Sequence, residues 1–168
     1  MDAYLDAIST LERHVELFNA KICKHDDRAR LLMTMPGIDY LTALTILSDI
    51  VNVRRFRTPW KLVSYAGLAP SRRDSGESMR RGGITKRGSR WLRHALVEAA
   101  ILHDERLGSF YRRIEERRGA QKAIVATAKE MLVIILHMLS NNEQYRNMDR
   151  AMVERKYKRM EWRSNSLA

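Results

Sequence analysis

A chain of 168 residues is long enough to bury one core, and its 45% apolar content excludes a disordered tail. Lys and Arg outnumber Asp and Glu by 31 to 20, a formal charge of +11 that points to a phosphate backbone, since each neutralised phosphate releases condensed counterions. One cysteine, Cys23, and five scattered histidines (His14, His25, His94, His103, His137) exclude a disulfide framework and any familiar metal-ligand spacing.

Only 8 Gly and 3 Pro interrupt a chain rich in Leu, Arg, Ala, Met, Lys and Glu, so the expected class is all-α with no sheet. The start, Met1-Asp-Ala-Tyr, has neither a basic n-region nor an apolar h-region. The longest unbroken apolar run, Met131 to Leu136, is far short of a membrane span. A cytoplasmic protein with no membrane partner is expected.

Residues 2 to 33 read as one long helix. Leu5, Ile8, Leu11, Val15, Phe18 and Ile22 recur at steps of three and four, the seam of a two-helix contact. Two readings fit: a helix lying on its own domain, or a coiled-coil arm joining a homo-oligomer. The Pro36-Gly37 pair breaks the helix, and Tyr40 to Val51 forms the next one, with Leu41, Leu44, Ile46, Leu47 and Ile50 as its apolar face. Helix, Gly-bearing turn, helix is a helix-hairpin-helix pattern. Its turn, at Gly37, can offer backbone N–H groups to a phosphate, although an ordinary αα-hairpin fits the same residues.

Arg54 to Arg57 is a basic linker. Thr58 and Pro59 open a short helix that runs through Tyr65 and stops at Gly67. Residues 70 to 88 are rich in Gly, Ser and Arg and read as a long loop outside the core. From Arg72 to Arg93 the chain has eight Arg or Lys against two acids, Asp74 and Glu77, so +6 of the net charge sits there. Ser89 caps a helix from Arg90 to His103. A charged helix from Leu107 to Arg118 follows, ending at Gly119. Ala120 to Leu139 is apolar nearly all round, as a central buried helix would be, and His137 reads as a hydrogen-bonded residue of that core. The organisation expected is a coiled-coil arm (1–33), a helical domain (34–145) and a basic tail or frayed helix (146–168).

The blocks Met-Pro-Gly-Ile-Asp (35–39), Arg-Phe-Arg-Thr-Pro-Trp-Lys-Leu-Val-Ser-Tyr-Ala-Gly-Leu-Ala-Pro (55–70), Asp-Ser-Gly-Glu (74–77) and Gly-Ile-Thr-Lys-Arg-Gly-Ser-Arg-Trp-Leu-Arg (83–93) follow in order. Later come Lys-Ala-Ile-Val-Ala (122–126) and Leu-His-Met-Leu (136–139). Over roughly residues 30 to 145 this resembles the C-terminal domain of DEDD-type insertion-sequence transposases (the IS-one-ten family), relatives of the Piv DNA invertase. The resemblance implies a helical half carrying a Ser-Gly motif whose serine attacks DNA, here Ser75-Gly76. It also implies a RuvC-like half, joined through a coiled coil, whose four acidic residues hold divalent metal such as magnesium. In characterised relatives a structured RNA guides target choice. No RuvC-like segment is expected in these 168 residues, so this chain is expected to hold no metal and to be inactive alone, in a bacterial, nucleoid-associated setting.

The chemistry is coherent. A serine hydroxyl attacking a phosphodiester keeps the bond energy in a phosphoserine link, so rejoining needs no ATP. Arginines can stabilise the charge that develops in the transition state, and Arg72, Arg73, Arg80 and Arg81 flank Ser75. From the residues alone, Ser-Gly is a loop turn and the arginines a solvated face; the resemblance tips the choice to Ser75. Among the rivals, Ser89 reads as a helix cap, Ser71 lies next to Pro70, and Ser78 lacks a following glycine. Thr85, Lys86 and Arg87 are expected to touch phosphate or guide RNA, or to cap the next helix, and Arg90 and Arg93 complete the basic set. The expected function is DNA binding and strand exchange with a RuvC-like partner domain. Its alternative is a non-catalytic DNA-binding or dimerisation remnant.

Overall fold

Asp26, Asp39, Ser89, Asp104 and Asp149 each turn a side-chain oxygen onto a backbone N–H two or three residues ahead, at 2.8 to 3.1 Å, and a helix starts at each. The computed structural model describes residues 2–75, 78–102 and 104–165, with side chains over 4–71 and from 83 onward. Its helices are α1 (Asp2–Lys24), α2 (Asp27–Met33), α3 (Tyr40–Ile50), α4 (Pro59–Tyr65), α5 (Arg90–Ala99), α6 (Glu105–Arg118), α7 (Ala120–Asn141) and α8 (Arg150–Asn165). A 3-10 turn covers Val53–Arg55.

The long first helix expected from the seam is two helices. Asp26 accepts a hydrogen bond from the Arg28 amide and an ion pair from its guanidinium, both at 2.9 Å, and this cap ends the continuous ladder. The Arg28 side chain holds the Asp26 carboxyl below its usual value.

The segment read as a loop is also different. Strands β1 (Pro70–Ser75) and β2 (Ser78–Ile84) pair antiparallel, with an irregularity between Pro70 and Arg72. A two-stranded ribbon pairs the facing half of its backbone groups and leaves the rest to water, so apolar composition does not signal it and a reading from composition overlooks it. The class remains all-α, since this hairpin is the one sheet among the described residues.

α7 is the centre. It packs against α2, α4, α5 and α6, burying Ala123, Thr127, Ala128, Met131, Leu132, Ile135, Leu136 and Met138. It is long and apolar enough to cross a membrane by length and composition alone, but here other helices cover it. His137 is not part of that core: its ring is exposed and lies 3.0 Å from the Asn141 amide.

Residues 146–168, expected as a tail or frayed helix, contain α8, which lies on α1 and α2. Lys156 donates to the carbonyls of Met33 (2.9 Å) and Met35 (2.7 Å), and the Tyr157 hydroxyl donates to the Arg30 carbonyl at 2.9 Å. Arg163 pairs with Glu16 at 3.1 Å. α1 itself divides in two. Leu17, Ala20 and Cys23 enter the core, whereas residues 4–15 are exposed on every side. The seam Leu5, Ile8, Leu11, Val15, Phe18 and Ile22 is open to solvent throughout. Burial pushes the Cys23 thiol up to about 12, so it is core rather than nucleophile.

Burial lowers the Lys156 ammonium from 10.5 to about 8. Between those two values the unfolded chain binds more protons than the folded one, so the Lys156 contribution to stability rises with pH and is weakest below the lower value. Cys23 acts oppositely at high pH, and a Lys156→Met variant retains it. Urea denaturation should therefore show the stability difference, wild type minus variant, moving by about 2 kcal/mol in the wild type's favour across this window.

Candidate nucleic-acid interface

The hairpin is held at its foot by a crossing of two chain segments. α4 ends at Tyr65 with Ala66 as its cap, the chain turns at Gly67, whose φ is +68°, and residues 85–89 return directly over it. Thr85 N–H donates to Ala69 O (2.8 Å), Lys86 N–H to Gly67 O (3.1 Å) and Ser89 N–H to Tyr65 O (2.9 Å). Gly88, at φ +132°, is pressed so close that a Cβ there would stand 2.1 Å from the Tyr65 carbonyl oxygen.

Side chains brace the same crossing. Arg93 Nη1 donates to Ala66 O at 3.1 Å and Lys86 O at 3.4 Å. Asp49, near the end of α3, accepts from the Tyr65 hydroxyl at 2.9 Å and from Ser89 Oγ, while Ser89 Oγ accepts from the Leu92 amide. The hydrogen bond to Asp49 holds the Tyr65 phenol above its usual value. The Arg55 guanidinium lies 4.8 Å from the Phe56 ring and 4.9 Å from the Tyr65 ring.

The structure treats the expected site residues unequally. Ser75 is the last residue of β1 and pairs with Ser78 of β2. Arg72 pairs with Arg81 and Arg73 with Arg80, so four arginines occupy facing ladder positions. Like charges at such positions repel unless an anion lies among them. The side chains of Arg72, Arg73, Ser75, Arg80 and Arg81, and the whole of Gly76, lie outside the described residues.

Thr85 is half-buried at the foot, and Lys86 and Arg87 are exposed. Arg90 is exposed, its guanidinium 5.1 Å from the ring of exposed Trp91. Arg93 is half-buried, and its Nη1 donates to the carbonyls of Ala66 and Lys86. Gly37 is in close contact with α5: at φ +75°, a Cβ would meet Ala99 O at 2.1 Å, which gives it a packing reason independent of phosphate. Two rival serines are engaged, Ser71 Oγ with Gly83 O at 2.8 Å and Ser89 Oγ with Asp49 and the α5 cap.

Beside the hairpin foot lies a groove of about 740 Å³ that the sequence reading missed. Its cations are Lys86, Arg113, Arg117, Arg118, Lys122 and Lys129, and among the described residues no acid lines it. Lys122, Val125, Ala126 and Lys129 are spaced i, i+3, i+4, i+7, one face of α7. The charged character of α6 was legible, but its meeting with that face was not.

Divalent metal does not fit this set. Among the described residues, no three His, Cys, Asp or Glu side chains come together as ligands.

The family model described as "Transposase IS116/IS110/IS902 family" matches residues 29–112, from α2 through the hairpin into α6. The chain belongs to that transposase family. It is 30% identical to the transposase for insertion sequence element IS1111A of Coxiella burnetii, over 74% of this chain and 36% of that protein. It is likewise 30% identical to a pilin gene-inverting protein of Moraxella bovis, over 83% of this chain and 45% of the relative. The family member thus spans between a third and a half of these curated relatives' lengths.

Arg93 gives this family member a direct test of brace against phosphate contact. Arg93→Ala should lower unfolding stability in urea by about 1–3 kcal/mol, because two carbonyls lose a charged donor. Arg93→Lys should restore only part of it. A residue that merely met phosphate would leave stability unchanged and lower the salt slope of DNA binding by about one unit.

Proposed function

We propose that this chain is the DNA-binding, serine-bearing C-terminal part of a transposase, acting on DNA in the bacterial nucleoid with a RuvC-like half that supplies the metal-binding carboxylates. The observation that carries the reading is the disposition of the serines. Ser71 and Ser89 have their hydroxyls committed to the hairpin foot, while Ser75 stands at the far end of β1 among paired arginines, inside the region matched by the family. In the step proposed, Ser75 Oγ bonds to a backbone phosphorus as a phosphorus–oxygen ester bond breaks, so the number of ester bonds is conserved and the reverse step reseals the strand. The arginines of the ladder bind the duplex backbone and offset the charge that develops on phosphorus. Gly76 would allow close approach of the backbone, and a structured guide RNA is a further partner proposed from the resemblance.

The test uses this chain with a RuvC-like half supplied and a nicked DNA substrate that lets a covalent intermediate accumulate. Peptide mapping should find the nucleotide adduct on the fragment containing Ser75. Ser75→Ala should lower joining by at least about 100-fold, with melting temperature and DNA affinity nearly unchanged, since a single hydroxyl outside the helical core adds little to either. An adduct on Ser78, or full activity in the variant, would overturn the assignment and favour a binding remnant.

The exposed seam of α1 supports homo-oligomerisation as part of this reading. Six apolar side chains at coiled-coil spacing, from Leu5 to Ile22, are without cover in the single chain. Residues 1–14 can be removed without touching Leu17, Ala20 or Cys23, so the core should survive. Sedimentation should show the wild-type chain as an oligomer and the truncated chain shifted to monomer with unchanged helical packing. The same mass for both would place self-association elsewhere.

A further inference from the structure

The groove between the hairpin foot and the α6–α7 pair combines two chemistries. Its floor is apolar, built from Leu68, Ile84, Ile114, Val125 and Ala126, and its rim carries the six cations. None of those cations has an ion-pair partner among the described residues. A duplex phosphate backbone has no use for an apolar floor, and an apolar peptide has no use for an all-cationic rim. An unpaired nucleotide needs both: a dry surface for the face of its base and cations for the phosphates on either side.

A second observation points the same way. Trp60, on α4, is 56% exposed, and the rim residue Lys129 holds its ammonium 4.3 Å from the ring centroid. A large aromatic left open beside a cationic track is the arrangement on which successive bases of a single strand stack. The contact with Lys129 also ties the indole to α7, so it is presented rather than free to fold away.

We propose that this groove binds a single-stranded nucleic-acid segment, with one base on the apolar floor, its neighbour on Trp60, and the phosphates on Arg117, Lys122 and the remaining cations. The proposal rests on the nucleic-acid-binding reading of the chain, but assigns unpaired strand to a surface separate from the arginine ladder. Single-stranded DNA and RNA share this chemistry, and the probes separate them.

The experiment uses the full chain with thymidylate and uridylate oligonucleotides of about 12 nucleotides, a duplex of the same length, and an abasic strand. Thymidylate or uridylate should quench tryptophan emission, and Trp60→Ala should remove that quench although Trp91 and Trp162 remain. Arg117→Ala combined with Lys122→Ala, both at exposed positions, should weaken single-strand binding about tenfold and lower its salt slope by about 1.4, the value for two phosphates of a single strand. Duplex affinity should fall much less. The abasic strand should bind the wild type more weakly than thymidylate, a preference the Val125→Thr variant should reduce. A stronger response to one sugar assigns DNA or RNA as the source. A quench that survives Trp60→Ala, an unchanged slope, or equal losses on duplex and single strand would overturn the groove assignment. If the wild type binds neither probe, the nucleic-acid reading itself fails.

Discussion

The constraint on which the rest depends is that α7 has almost no polar face. A 22-residue helix with Met131, Leu132, Ile135 and Leu136 buried must be surrounded, and α2, α4, α5 and α6 surround it. The helices therefore form a sleeve around one rod, not layers. The strip of α7 that faces the hairpin foot and α6 runs through Lys122, Val125, Ala126 and Lys129. Two lysines border that strip and two small apolar side chains form its middle, so the gap in the sleeve is a cationic groove with a dry floor. Covering the core and shaping the groove are one event.

The hairpin is a different kind of object. Among the described residues, Ile84 is its side chain packed against the core, and its foot is held to the helical body through a few backbone bonds. What gives it a fixed exit direction is the crossing at Gly67 and Gly88, where two segments pass too closely for any Cβ. Arg93, Asp49 and Ser89 lock that crossing with charged or shared hydrogen bonds, which are stronger than neutral ones. The root of the ribbon is thus tightly held, while arginines occupy facing positions of its ladder.

At the opposite end, α1 shows how one helix serves two environments. Its last two turns enter the core through Leu17, Ala20 and Cys23 and are tied to α8 by the Arg163–Glu16 pair, while residues 4–15 are exposed. The Cys23 thiol, in contact with Met33 Sδ at 3.6 Å, marks where the arm becomes domain. An apolar stripe open along the projecting part is the feature in the molecule most in need of a partner.

Several of these features were determined by the sequence itself, because they depend on neighbours along the chain. The all-helical class, the cap at Ser89, the stop at Gly67 and the centrality of Ala120–Leu139 all follow from local propensity and periodicity of 3.6. The ordered blocks from Met35 to Arg93 were enough to identify the family. Periodicity also found the seam of α1, but could not say whether it faced the domain or solvent, since both place apolar residues at the same steps. Tertiary structure decided that, by burying the adjacent stripe instead. It alone showed that the arginine-rich segment pairs as a ribbon, because strand pairing across a two-residue gap is a matter of backbone bonds and not of side-chain composition. It showed that Arg93 Nη1 donates to the carbonyls of Ala66 and Lys86 and that Gly37 closely approaches Ala99. The groove required it most: Trp60, Ile84 and Lys129 lie far apart in the chain, and no pattern within any one segment encodes their meeting.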